Sequence, residues 1–290
     1  MPGPAPRAQL TLGSTTITYL PDGYGSHNPD VVFAGVDWDS RPGYLVDGEL
    51  LLTFGSFLIQ AAERNILVDL AVGKIDVEVP GYARLVGGTL QDNLAAEGLT
   101  ADDIDTVVYT HLHLDHVGWT SDVAPLPTTP AAAAPTGLTF ARARHLMSEA
   151  EWRHWSETIE LGGPDRDVVL APLTGVVEFV TDGEVLAPGV SVQFTAGHTP
   201  GHVAIVVRDP AGSSSEAVYL VGDILHSPAQ ILEPGLRFTS DHDPAAARAV
   251  RDRVLTLPDA IIGAGHFTDA VFGRVATDSN RRTWTPVDGA

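Results

Sequence analysis

The segment YTHLHLDHVG, residues 109–118, sets three histidines and an aspartate into six consecutive positions, directly after the apolar, β-branched run IDTVVY. That run reads as a buried strand, so the strand ends in a crowd of titratable groups. Imidazoles two residues apart on an extended segment project to the same side, which aims His111 and His113 at one point. The chain turns next, and the adjacent Asp115 and His116 can face a second point nearby. Surface-loop histidines are the plain alternative, and they account poorly for four such residues at the mouth of one apolar strand. One metal ion cannot easily take all four groups at this tight spacing, whereas two ions can take two each. Zinc wants about four ligands, so the motif supplies half of a site.

Three other strand ends offer the remainder. FTAGHTPGH places His198 in a Gly/Pro turn after a strand predicted over 190–195. VYLVGDILH places Asp223 after the apolar run that ends at Val221, where an isolated buried carboxylate is costly unless paired. AIIGAGHF places His266 after the last apolar strand. Each sits beside a glycine that lets the backbone come close. Taken singly they could be a turn histidine, a capping aspartate and a surface histidine.

Composition narrows the options. The 290 residues suffice for a large core, with no composition break to mark a domain linker, so one domain over 1–290 is expected. The absence of cysteine excludes disulfides and thiolate ligands and leaves metal binding to histidine and carboxylate. A formal charge of −20 repels phosphate backbones, so nucleic acid is not an expected partner. No apolar run approaches the roughly 20 residues of a membrane helix, and the opening MPGPAPRAQL has no apolar signal core. A cytoplasmic protein with no membrane partner is the expectation.

Along the chain, strands are predicted in the first half, then a helix over 90–97 closed by Gly98. A second helix starts at Ser148, with Glu151 spaced for a capping box. Further strands near 176–180, 190–195, 203–207 and 217–221 precede a helix over 244–255, capped by Asp243 with Pro244 at its first position. Residues 21–42 read as a flap loop, and the Pro/Ala-rich 124–137 as a flexible insertion. Strands then helix, twice over, suggests two similar halves closing one sandwich.

The ordered set THLHLDH, GHTPGH, VGD and GAGH resembles the metallo-β-lactamase-fold hydrolase superfamily over about residues 14–275. The resemblance implies an α/β fold, a four-layer αββα sandwich with the site at one edge of its two sheets. It implies two divalent metal ions, zinc by preference, with His111, His113 and His198 on the first and Asp115, His116 and His266 on the second. Asp223 would bridge them, and Asp115, Asp223 and His226 would serve catalysis. A hydroxide shared between the ions would attack an ester carbonyl. His202, Thr110 and Thr199 are candidates to orient the ligands.

The wording HLHLDHVGW, GDILHSP and GAGHFTDAVFGRV is most similar to quorum-quenching N-acyl-homoserine lactonases and to methyl parathion hydrolase-like enzymes. The expected substrate is a small-molecule ester, first a lactone, with a phosphotriester or aryl ester as the alternative, and a non-catalytic metal-binding module further behind. Such enzymes are often homodimers. Two departures stand out. Many of those lactonases carry tyrosine three positions after the bridging aspartate, where this chain has His226. VDLAVG at 68–73 replaces a Thr-Gly pair, with Asp69 expected to act behind the ligands. Loop aromatics Tyr24, Trp38, Trp119, Trp152, Phe238 and Phe267 are candidates for the substrate pocket, Trp119 and Phe267 foremost because each adjoins ligand-bearing sequence.

Overall fold

The computed structural model describes residues 4–126, 133–278 and 281–287. A first sheet contains β1 (Ala8–Leu12), β2 (Thr15–His27), β3 (Leu50–Ala61), β4 (Arg64–Val68), β5 (Asp76–Val79), β6 (Ala83–Gly87), β7 (Thr106–Val108), β8 (Arg144–Ser148) and β9 (Val177–Val180). Its order is β5-β6-β2-β3-β4-β7-β8-β9, with β1 on β2. The second sheet runs β10 (Val185–Ala187), β11 (Val190–Phe194), β12 (Val203–Arg208), β13 (Ala217–Leu220), β14 (Ala260–Gly263), β15 (Phe272–Asp278) and β16 (Arg281–Pro286) in sequence order.

The sheets meet through alternating side chains. Ile17, Tyr19, Ile59, Val68 and Val108 of the first share one buried cluster with Val192, Ile205, Val218, Leu220 and Ile261 of the second. Each such aliphatic side chain contributes about 1.5–3 kcal/mol on burial. The outer face of the first sheet is covered by the helices Leu90–Ala96 and Glu149–Glu157, through Leu90, Leu94 and Trp155. The helix Pro244–Val254 covers the second sheet with Val250 and Val254. This is the αββα arrangement expected.

Strands β4, β7 and β8 run parallel in the first sheet, as do β13 and β14 in the second. Parallel strands deliver their carboxyl ends to one edge, where α/β sheets place ligands. Asp69 follows β4, His111 follows β7, Asp223 follows β13 and His266 follows β14.

Two sequence expectations need correction. The flap expected over 21–42 begins as strand: Pro21–His27 belongs to β2 and pairs with β3, and Gly23–His27 pairs also with β6. A register shift between Pro21 and Gly23 absorbs the proline, since a bulge tolerates a residue with no amide hydrogen. Beyond it Val32, Phe33 and Trp38 are buried, so that part is packed too. Strand structure also continues past the strand before His266, as the hairpin β15–β16. Of the insertion expected at 124–137, residues 127–132 lie outside the described residues. Its flank is tied down by Thr136, whose amide donates to Asp122 Oδ1 at 2.8 Å.

Candidate metal centre

The turn after β7 is fixed from below. Asp69 lies in the left-handed region at φ 60°, as does Ala71 at φ 46°, the shape VDLAVG takes here. That turn brings the Asp69 carboxylate under the histidine loop, where Oδ1 accepts from Thr110 N at 2.7 Å and Oδ2 from Thr110 Oγ1 at 2.7 Å. Gly118 lets the loop close on it: a Cβ there would stand 1.9 Å from the carbonyl carbon of Val72.

Two groups of side chains converge. His111, His113, His198 and Asp223 offer one ligand atom each, all within 4.8 Å of one another, and Asp115, His116 and His266 do the same beside them. His113 Nδ1 lies 3.1 Å from His111 Nε2 and 2.9 Å from His198 Nε2. Asp223 straddles both groups. Its Oδ1 stands 2.9 Å from Nε2 of His116 and of His266, and its Oδ2 3.1 Å from His198 Nε2 and 3.5 Å from His111 Nε2.

The partners on the far side of each ring decide which nitrogen carries the hydrogen. His266 Nδ1 faces the Thr53 carbonyl at 2.9 Å, which can only accept. His116 Nδ1 faces Asp69 Oδ2 at 2.9 Å and His198 Nδ1 faces Asp241 Oδ1 at 3.0 Å, both carboxylate oxygens. Thr110 Oγ1 spends its hydrogen on Asp69, so it accepts from His111 Nδ1 at 3.0 Å. All four Nδ1 atoms therefore donate, and four Nε2 lone pairs turn inward on each other and on Asp223. Such a nest of lone pairs needs positive charge, and carboxylate- or carbonyl-backed imidazoles are the usual way to present them to a metal.

Electrostatics agree. Burial pushes Asp223 up, but the surrounding histidines hold it well below the usual carboxylate range. Burial lowers His198, yet Asp223 and Asp241 outweigh it and raise it to about 9. Burial keeps His111 and His113 well below the ordinary histidine range. Asp223 likewise raises His116 and His266 against their burial, so this carboxylate calls for positive charge beside it, a demand that divalent ions fit.

Other expected residues fall around this centre. His202 Nδ1 donates to Thr195 Oγ1 at 2.8 Å, and its Nε2 accepts from the Asp223 amide at 3.1 Å, so it orients the straddling aspartate. Thr199 reaches Glu151 instead of a ligand, donating to Oε2 at 2.6 Å. His226 is buried, its Nε2 donating to Asp223 Oδ2 at 3.1 Å and its ring stacked 3.6 Å from Phe238. Burial lowers it to about 4, so it is neutral at pH 7.

A cavity of about 630 Å³ opens onto the centre. Its floor includes His113, Asp115, Asp223, His226 and His266, and Leu52, Phe54, Leu85, Leu114 and Phe238 give it apolar walls. Of the aromatic candidates only Phe238 lines it. Trp119 donates its indole hydrogen to Asp22 Oδ1 at 2.9 Å and packs in the core beneath the first sheet. Phe267 is fully buried against Trp284, and Trp38 is buried against Phe33. Tyr24 and Trp152 are half-buried away from the cavity. Sequence adjacency to a ligand did not predict side-chain direction. His27, Tyr82 and Asp241, which do line it, carried no local signal.

Residues 56–266 match the metallo-beta-lactamase superfamily. The chain belongs to that superfamily. Among curated proteins it is 28% identical over 165 residues to Beta-lactamase-like protein 2 homolog of Drosophila melanogaster, covering 56% of this chain and 46% of that protein. The chain thus spans less than half of that relative's length. Among solved structures, it superposes on AidC, a dizinc quorum-quenching lactonase in complex with the product N-hexanoyl-L-homoserine, with a TM-score of 0.78. Identity is 21%, and coverage is 97% of each chain. The hydrolase AbOPH of the beta lactamase superfamily gives a TM-score of 0.77 at 21% identity, covering 98% of each chain. At such identities both likenesses speak for the shared fold alone.

Proposed function

We propose that the chain is a dinuclear metallohydrolase that opens lactones, with N-acyl-homoserine lactones the first candidates. The observation that carries this reading is Asp223, one of whose oxygens faces each histidine group at the floor of an apolar-walled cavity. His111, His113, His198 and Asp223 would hold one ion, and Asp115, His116 and His266 the second with Asp223 shared. A bound pair of divalent cations supplies water activated near neutral pH and Lewis-acid polarisation of the ester carbonyl.

The chain's own groups do the rest. The neutral His226 donates to Asp223 Oδ2 and keeps that carboxylate in its straddling orientation. Asp115 is the most exposed carboxylate of the centre, its side chain 24% accessible against 4% for Asp223. With the ions bound, it would pass the proton released by the attacking water to the leaving alkoxide as the ring C–O bond breaks, giving the hydroxy acid. Leu52, Phe54, Leu85 and Phe238 would take the acyl chain, and a cavity of this volume suits a ligand of that size.

The test is to mix metal-loaded protein with lactones of graded acyl length and titrate released acid. Turnover that rises with chain length is expected. Turnover of paraoxon-like triesters or phenyl acetate with none of any lactone would overturn the lactonase reading in favour of an aryl- or phosphotriester hydrolase.

A further inference from the structure

Ser148 and Glu151 have the spacing of a capping box, yet only half of the box forms. Ser148 Oγ accepts from Glu151 N at 3.1 Å. The Glu151 carboxylate does not return to the Ser148 amide; it turns inward, where the residue is 0% exposed. There Oε1 accepts from Leu112 N at 3.0 Å and Trp155 Nε1 at 2.7 Å. Oε2 accepts from Thr199 Oγ1 at 2.6 Å and Gly201 N at 3.1 Å. Among the described residues no arginine or lysine pairs with it.

The origin of the donors gives the arrangement its meaning. Leu112 is the residue between His111 and His113, and Thr199 follows His198 directly. Trp155 carries its ring against His113, 5.4 Å between centroids in an edge-on contact. The second histidine loop is seated hard on this helix: Ser148 Oγ donates to Gly201 O at 2.6 Å, and a Cβ on Gly201 would lie 2.1 Å from Glu151 N. His116 and His266 are held by other partners, Asp69 and the Thr53 carbonyl. Burying a carboxylate without a cation is costly, and burial does push the Glu151 carboxyl up, against the pull of its four donors. What that cost maintains is a fixed spacing between two loops.

We propose that Glu151 is the positioning residue of the first metal site. Its carboxylate ties the loop bearing His111 and His113 to the loop bearing His198, and so sets that site's affinity separately from the site of Asp115, His116 and His266. The inference rests on the ligand assignment made above. Removing a partner behind a metal ligand costs about 10–100-fold in affinity, and here one residue, touching no imidazole itself, braces both loops that carry the three.

The experiment is stepwise chelator competition on cobalt(II)-loaded protein, followed by visible absorption, with His198→Ala and His266→Ala used to assign the two signals. Glu151→Gln should weaken the His198-type site by about 10–100-fold and leave the other unchanged. Thr199→Val and Trp155→Phe, which each remove one of the four bonds, should weaken the same site to a smaller degree. They carry the test if Glu151→Gln does not fold. Equal weakening of both sites, as general loosening of the fold would give, or no change at either, overturns the proposal. Uptake of no more than one ion by the wild-type chain instead overturns the ligand assignment itself.

Discussion

Asp241→Asn separates the forces that hold His198 better than any other single change. Asp241 is buried, accepts from His198 Nδ1 at 3.0 Å, and stands 3.6 Å from Arg251 Nη2. Arg251 is 1% exposed; its Nε donates to Ile224 O and its Nη1 to the carbonyls of Pro234 and Leu236, while Nη2 has no hydrogen-bond partner. The aspartate is thus the counter-charge for a cation that ties the helix Pro244–Val254 to the segment behind Asp223. Removing one partner of a buried ion pair costs about 3–5 kcal/mol. The pair here is long and the guanidinium keeps its three carbonyls, so the low end, about 3 kcal/mol, applies. His198 meanwhile keeps an amide acceptor but loses the charge assistance, worth about 1 kcal/mol, or roughly five- to tenfold in affinity of the first metal site. Urea unfolding of chelator-treated protein reads the first effect, and metal titration reads the second. Adding Arg251→Met should restore part of the stability, because two charges leave the core together, without restoring metal affinity. A stability loss below about 0.5 kcal/mol, within the range of an ordinary surface change, would refute the reasoning, as would a double variant no more stable than the single one.

Other outcomes follow from the same geometry. Gly118→Ala puts a Cβ within 2.2 Å of Gly73 N, so backbone must move; a loss above about 2 kcal/mol by denaturant titration, with weakened binding at the Asp115–His116 site, is expected. Trp119→Phe should lower stability by about 1 kcal/mol through the lost bond to Asp22 and leave KM for any ester unchanged, since the indole lies outside the cavity. His27 is buried in the cavity wall and burial lowers it to about 4 from 6.5. Its folded form binds protons less readily than the unfolded chain. Stability it contributes is therefore full above pH 6.5 and lost as pH falls toward 4, by up to about 3 kcal/mol. Urea midpoints measured between pH 7.5 and 4 should fall less steeply in His27→Gln than in wild type.

The first half of the centre was legible because it is local: His111, His113, Asp115 and His116 follow one apolar strand within six residues. His198, Asp223 and His266 were legible by a weaker rule, a metal-capable residue after an apolar strand and beside glycine. The groups behind them were not. Asp241 meets His198 across 43 positions, and Glu151 meets Leu112 across 39. Neither contact leaves a periodic or spacing signal, and Glu151 looked like an ordinary helix cap. Phe238 apart, the aromatic candidates lie outside the cavity for a related reason. Position beside a ligand says nothing of whether Trp119 turns outward to the cavity or inward to a buried carboxylate such as Asp22. The strand content of 21–27 was hidden by proline and glycine, which a bulge accommodates.

The central claim is that this chain holds two divalent ions joined by Asp223. Elemental metal analysis of the purified wild-type chain and of Asp223→Ala tests it most directly. Two equivalents in the wild type and a clear loss in the variant are predicted. One equivalent or fewer in the wild type, or two retained without Asp223, would contradict the account.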